Sequence, residues 1–171
     1  MLQMNQRRAQ SQPVGPVLVE NLSFKSPLLE LALAYWREIK GSSTFPRRLD
    51  LVPENIVSLW PHLLMVDIID DGADYHIRLF GQCLVDDYGE QTGRRVTEAT
   101  APELVRERSK LLFDFCREKA APSYAYWPVS SSNRRLFVDV EALCLPLSSD
   151  GTKLDKLMSL NVNTRKRLQT W

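Results

Sequence analysis

Histidine and cysteine are scarce in this sequence, and the few that occur are poorly placed for metal binding. There are two histidines, His62 and His76, and three cysteines, Cys83, Cys116 and Cys144, none of which belongs to a C-x-x-C pair. A structural zinc site needs several such ligands, and a haem site needs an inward-facing histidine. An odd number of scattered cysteines with apolar neighbours is typical of free thiols in a reducing compartment. We therefore expect neither a metal site nor a disulfide.

An excess of charge of one sign is also lacking, since 22 basic residues face 21 acidic ones and the net charge is +1. Such a balance argues against the basic surface of a nucleic-acid-binding protein. No apolar run is long enough to span a membrane, and the polar N-terminus has no apolar segment of the kind that signal peptides carry. These absences predict a cytoplasmic protein that binds neither nucleic acid nor membrane.

The seven glycines form no phosphate-binding loop. The stretch from Gly81 to Gly93 contains no G-x-G-x-x-G motif, and the Lys-Ser or Lys-Thr pair of a P-loop does not follow it. We interpret these glycines as helix ends, where positive φ angles favour glycine. Cys83 lies close to Gly81, but its neighbours do not resemble the signature of a flavin-binding light sensor. The sequence therefore identifies no cofactor.

The chain length of 171 residues predicts one domain with tails. Residues 1–24 begin with a polar stretch rich in Gln, Pro and Ser, so this segment is expected to be disordered or loosely docked. Residues 25–163 carry the apolar patterns of a single domain. Residues 164–171 form a basic tail with Arg165, Lys166 and Arg167, which we expect to be solvated.

Two helices are predicted before the first strand. Ser26 is a good N-cap residue and Pro27 suits the first helical position, so the first helix is predicted over residues 26–40. Its apolar residues cover more than one side, which predicts packing on its own domain and on a second subunit through Leu29, Leu33 and Trp36. A second, short helix is predicted over residues 54–60, between two prolines.

The rest of the chain predicts five strands with helices between them. The strands are predicted at residues 63–69, 75–80, 124–129, 136–145 and 154–162, and an Asp-Asp-Gly turn joins the first two. Helices are predicted at residues 82–88 and 102–119. This order predicts an α+β fold, in which a five-stranded antiparallel sheet carries helices on one face and is preceded by the two N-terminal helices.

The sequence resembles the bacterial PAS-like family of short, mostly single-domain proteins, from about Leu28 to Asn161. The resemblance lies in an ordered series of short motifs: Tyr35-Trp36, Pro46-Arg47-Arg48, an Arg-containing strand ending at Gly81, Tyr88-Gly89, Thr92-Gly93-Arg94 and the segment Glu141-x-Leu143-x-Leu145-Pro146-Leu147. It implies the PAS fold and a role in sensing or regulation, often through dimers. It implies no particular ligand or output, because the PAS fold serves many functions.

A small ligand is expected between the helices and the sheet of such a domain. The predicted lining combines inward strand residues with residues of the following helices: Ile77, Leu79, Leu84, Tyr88, Leu112, Phe115, Cys116, Val138 and Val140. The same side chains can also simply fill a core. Our first hypothesis is a non-catalytic PAS-type sensor that binds a small, mainly apolar or weakly acidic molecule, forms a homodimer and acts in trans on a signalling protein.

Two other hypotheses remain open. The chain can be a ligand-free adaptor that binds proteins through its sheet and first helix. It can also be a small-molecule enzyme with Asp67 or Glu141 as the base, which requires one of these carboxylates to open into a cleft. Asp67 lies within an apolar run, so it needs a donor partner, for which Arg78 and Arg94 are the candidates. Such pairs are usually structural, and we predict no catalytic residue.

Overall fold

The computed structural model describes residues 15–20, 22–128 and 138–165. Its first helix, α1, spans Pro27–Lys40 and agrees with the prediction, because its start and stop signals are local. The Ser26 hydroxyl accepts a hydrogen bond from the Leu28 amide at 3.3 Å, and Gly41 ends the helix with a φ of 49°. Most of the predicted N-terminal segment and of the predicted basic tail lies outside the described residues.

The predicted second N-terminal helix is wrong, because the chain forms only short 3₁₀ turns at Pro53–Ile56 and Trp60–His62. The hydrogen bonds of this segment connect residues three apart, as from the Asn55 amide to the Val52 carbonyl at 3.0 Å and from the Leu59 amide to the Ile56 carbonyl at 2.9 Å, which is the 3₁₀ pattern and not the α-helical one. Two further α-helices follow, α2 at Gln82–Tyr88 and α3 at Glu103–Lys119, close to their predicted bounds.

The sheet has six strands in the described residues, not the five predicted. They are β1 (Val17–Leu18), β2 (Leu63–Ile69), β3 (Asp74–Phe80), β4 (Ser123–Trp127), β5 (Val138–Ser148) and β6 (Leu154–Arg165). The order across the sheet is β1-β4-β5-β6-β2-β3, and all neighbours are antiparallel. The additional strand, β1, pairs Val17 with Tyr124, a contact between distant parts of the chain that no local pattern indicates.

Helices cover both faces of the sheet, whereas the sequence predicts helices on one face. Leu143, Leu145 and Leu147 of β5 pack into the core beneath α1, and the alternating residues Ala142 and Cys144 pack into the core beneath α2 and α3. This division follows from the strand geometry, since successive side chains point to opposite faces. A strand that is buried on both faces carries a nearly continuous apolar run, as β5 does.

Two polar anchors hold α1 on its face of the sheet. The Glu141 carboxylate on β5 accepts hydrogen bonds from the backbone amides of Lys25 and Ser26 at 3.0–3.1 Å. The Trp36 indole N–H donates to the carbonyl oxygen of Pro146 at 2.7 Å. Burial raises the pKa of Glu141 despite these bonds. The buried carboxylate therefore has donors from the chain itself and fixes the segment that leads into α1.

Candidate functional site

A cleft opens between the sheet and helices α2 and α3. Its cavity volume is about 60 Å³, and the cleft opens to solvent at its mouth. The lining is mostly apolar or aromatic and consists of Leu64, Phe80, Leu84, Tyr88, Val105, Arg108, Ser109, Leu112, Phe113, Trp127, Val140, Asn161 and Asn163. An apolar cleft with a few polar groups has the composition of a small-molecule site.

One side of α3 forms a wall of the cleft. Val105, Arg108, Ser109 and Leu112 line it, at the i, i+3, i+4 and i+7 spacing of a single helix face. Two of these four side chains are polar, so the wall is not a plain apolar stripe. The opposite wall is the sheet, where β6 contributes Asn161 and Asn163 at alternate positions.

Tyr88 and Asn163 form a hydrogen-bonded group at the polar part of the cleft. The Asn163 side-chain amide donates to the Asp87 carboxylate at 2.7 Å and to the Tyr88 hydroxyl at 3.0 Å. Burial raises the pKa of Tyr88, so its hydroxyl keeps its proton at neutral pH. The other Asn163 side-chain atom, Oδ1, is buried and has no hydrogen-bond partner among the described residues.

Arg108 is the cationic group among the described residues that line the cleft. The side chain is half-buried, and its guanidinium carbon lies 5.7 Å from the ring centre of Trp127. Within the described part of the chain it has neither an ion pair nor a hydrogen bond. Burial lowers the pKa of Arg108, because the charged form loses water that no carboxylate replaces.

A family model described as a PAS domain matches residues 24–161, about four-fifths of the chain. This chain belongs to the PAS domain family. PAS domains are in general sensory and regulatory, and they are generally not catalytic. No curated protein and no solved structure matches the chain. The family predicted from the short motifs is thus confirmed, and the antiparallel α+β fold agrees with it.

One of these motifs has a clear structural role in the PAS domain. Gly93, with a φ of 86°, donates its amide to the Ile77 carbonyl at 2.8 Å, and the Ile77 amide donates to the Arg94 carbonyl at 2.9 Å. The His76 ring lies 3.0 Å from the Gly93 carbonyl through Nε2. Thr92-Gly93-Arg94 thereby attaches the loop after α2 to the outer strand β3.

The PAS domain brings four of the predicted ligand-binding residues to the cleft: Leu84, Tyr88, Leu112 and Val140. Ile77 and Cys116 are buried in the core beside it but do not line it. Phe115 is half-buried near the Lys119 ammonium, and Phe113 lines the cleft in its place. The Val138 side chain lies outside the described residues, although its backbone begins β5.

Leu79 packs on the opposite face of the sheet, under α1, so its prediction as a cleft residue is wrong. The pairing of β2 with β3 shifts between Met65 and Val66, so that Ile77 lies opposite Val66 and Leu79 opposite Met65. A β-bulge of this kind reverses the alternation of side chains along a strand. Phe80 consequently faces the cleft, which simple alternation from Ile77 does not predict.

The residues predicted as an interface are buried within this chain. Leu29, Leu33 and Trp36 are 0%, 6% and 5% exposed and pack into the core between α1 and the sheet. They leave almost no surface for a second subunit in this conformation. The apolar side chain that α1 exposes is Leu31, at 47%.

Asp67 and Glu141, the two carboxylates considered as bases, do not line the cleft. Asp67 accepts hydrogen bonds from the Arg78 guanidinium at 2.5 Å and the Lys156 ammonium at 2.6 Å. Burial alone would raise the pKa of Asp67, but the bonds from Lys156 and Arg78 outweigh it and lower that pKa. Arg78 was a predicted partner, whereas Arg94 is not bonded to Asp67 in the described residues. Both carboxylates therefore serve the fold.

The histidines and cysteines show no clustering for metal binding. Among the described residues no group of three or more His, Cys, Asp or Glu side chains is arranged to hold a metal ion. All three cysteines are free, and burial raises the pKa of the Cys144 thiol. The described helices include none with the length and apolar character needed to cross a membrane.

Proposed function

We propose that this PAS domain is a sensory module that binds a small, mainly apolar molecule in the cleft between α2, α3 and the sheet. The observation that carries the proposal is the cleft itself, whose lining combines apolar side chains with the few polar groups that fix a ligand's orientation. The cavity volume, about 60 Å³, is several times what one water molecule needs. A ligand larger than a few water molecules would extend from this space into the open mouth of the cleft.

Strand β5 connects the cleft on one face of the sheet with the α1 segment on the other face. Val140 lines the cleft, and its neighbour Glu141 on the same strand binds the segment leading into α1 on the opposite face. A ligand shifts a conformational equilibrium only if it binds the two states with different affinity. We propose that ligand binding changes how α1 is held and that a separate signalling protein or a second subunit reads this change.

The ligand-free adaptor is the second candidate. It is favoured by three solvent-exposed apolar side chains on the segment after α1, namely Leu49 at 83%, Val57 at 65% and Val52 at 44% exposure. These three residues lie within a stretch of nine residues, and exposed apolar side chains that form one continuous patch are typical of a surface that binds protein. The two candidates differ in whether a small molecule binds in the cleft, which a sensor requires and an adaptor does not.

A thermal-shift screen of small metabolites against wild type and two variants tests the sensor proposal. Ser109→Phe fills the cleft, and Leu111→Phe adds the same ring on the exposed side of α3 as a control. A ligand at a hundred times its Kd stabilises by about 2.7 kcal/mol, which corresponds to about 5–10 °C in Tm for a chain of this size. We expect this shift in wild type and Leu111→Phe, and its loss in Ser109→Phe. A ligand that stabilises all three proteins equally contradicts the proposed site.

A further inference from the structure

Arg108 is a half-buried arginine that has no anionic partner in the part of the chain that the structure describes, unlike Arg78 and Arg95. Arg78 pairs with Asp67 and Arg95 with Asp70, each at 2.5 Å. Arg108, in contrast, lines an apolar cleft and makes no ion pair or hydrogen bond within the described residues. A half-buried guanidinium in this position is an unmatched positive charge.

An unmatched charge in an apolar cleft is energetically costly, since the ion loses water without gaining a partner. The face of the Trp127 ring, at 5.7 Å, compensates part of this cost by a cation–π interaction. Burial also lowers the pKa of Arg108, which reflects the same loss of water. The ring leaves the planar guanidinium N–H groups unbonded, and these groups match a carboxylate in a two-bond, side-by-side geometry.

We infer that the ligand of this cleft is a monocarboxylic acid, whose carboxylate pairs with Arg108 while its apolar body lies among the aromatic and aliphatic side chains of the lining. This inference rests on the proposed function and adds the chemical class of the ligand. Arg108 is the one cation among the described residues that line the cleft. A single cation balances one negative charge, which favours a carboxylate over a doubly charged phosphate.

The surroundings of Arg108 agree with a singly charged head group. Asp87 lines the adjoining pocket and holds Asn163 at 2.7 Å, so negative charge is already present beside the cleft. This charge opposes a dianion more strongly than a monoanion. The buried Oδ1 atom of Asn163 lacks a donor among the described residues, and it is the feature that would favour a neutral ligand with an N–H or O–H group. Comparing the affinity for carboxylic acids with that for amides of the same shape distinguishes a carboxylate ligand from a neutral one.

The test uses two acids, octanoate and 3-phenylpropanoate, and their primary amides, which have almost the same shape without the charge. Binding of each probe is measured by isothermal titration calorimetry at neutral pH to wild type, Arg108→Met and Lys119→Met. Lys119 lies on the exposed end of the same helix, so its substitution removes the same charge away from the cleft. A hydrogen bond to a charged partner predicts that wild type binds the acids about tenfold to a hundredfold more tightly than the amides.

We expect Arg108→Met to lose this preference for the acids while its affinity for the amides stays within about threefold of wild type. Lys119→Met should keep the preference. Arg108→Gln serves as a second variant of similar polarity, for the case that the methionine variant does not fold. Equal binding of acids and amides to wild type, or an acid preference that survives without Arg108, overturns the carboxylate inference and leaves the cleft as a ligand site. Failure of both acids and both amides to bind wild type overturns the inference together with the proposed function.

Discussion

Replacing Gly81 with alanine should destabilise this PAS domain strongly, although its backbone conformation is open to any residue. Gly81 has a φ of −67°, so positive φ is not the reason that glycine stands there. A Cβ atom at this position would lie 2.4 Å from the carbonyl oxygen of Trp60 and 2.5 Å from that of Pro61. Both obstacles are backbone atoms, so a side-chain rotation cannot relieve the clash. The turn at Trp60–His62 and helix α2 must instead move apart.

The magnitude follows from comparison with Gly93, where an added Cβ meets nothing within 4 Å and only the φ of 86° is unfavourable. Left-handed strain costs about 1–2 kcal/mol for a non-glycine residue. Forcing an extra carbon against rigid backbone costs about 3 kcal/mol or more, at the upper end of the range for overpacking. For a chain of this size we expect Gly81→Ala to lower Tm by about 6–12 °C and Gly93→Ala by about 2–8 °C.

Scanning calorimetry or thermal melting followed by circular dichroism measures the Tm of each variant and so checks the predicted difference between them. Gly81→Ala should also weaken ligand binding, because α2 begins at the next residue and carries Leu84 and Tyr88 into the cleft. A Gly81→Ala protein that melts within about 2 °C of wild type, or above Gly93→Ala, would refute the reasoning from close backbone contact.

Two carboxylates give predictions with opposite pH dependence. Asp67→Asn should cost about 1–2 kcal/mol of unfolding free energy at neutral pH, because it removes the charge that binds Lys156 and Arg78. The pKa of Asp67 is lowered from 3.8, so its contribution is present above that value and is lost as the pH falls through the lower folded-state pKa. Urea denaturation should therefore show the wild-type advantage disappearing in strong acid; an advantage that is already absent at neutral pH contradicts the ion pairs. The pKa of Glu141 is raised from 4.5, so wild type should gain stability relative to Glu141→Gln as the pH falls from neutral to below 4.5. Denaturation curves of both proteins at these two pH values give the sign, and a constant difference would mean that burial of the charge is not costly.

The parts of the fold that the sequence predicts well have their signals within a few residues. Ser26, Pro27 and Gly41 specify α1, and its observed bounds differ from the predicted ones by one residue. The turn at Asp70–Gly72 joins β2 and β3 as predicted, with positive φ angles of 51° at Asp70 and 89° at Gly72. Local conformational preferences determine these features, so a single sequence is enough to find them.

Other features depend on contacts between distant segments and are not predictable from local patterns. β1 forms because Val17 lies opposite Tyr124, and Lys156 reaches Asp67 because β6 pairs with β2. The bulge between Met65 and Val66 turns Leu79 away from the cleft, and alternation along β3 gives no sign of it. In each case the decisive information is the register of strands that are far apart in sequence.

The polar part of the candidate site was missed for a different reason. Arg108 is one of several charged residues of α3, the others of which do not line the cleft, and only its spacing from Val105 and Leu112 marks it as part of the inner face. The predicted last strand ends at residue 162, one position before Asn163. Helical spacing could have found Arg108 and Ser109, whereas Asn163 depended on the length of β6.

The hydrogen bonds from Gly93 and Arg94 to Ile77 also affect whether another chain can pair with the edge strand β3. Sheets polymerise when an outer strand presents a long row of free N–H and C=O groups to a neighbouring chain. Gly93 and Arg94 occupy such groups in the middle of β3, and on the other margin β1 is only two residues long. In the part of the chain that the structure describes, neither margin offers an extended template for strand addition. The described part of the domain therefore disfavours self-association by strand addition, and contacts between side-chain surfaces are the alternative, which substitutions can alter without disturbing the sheet.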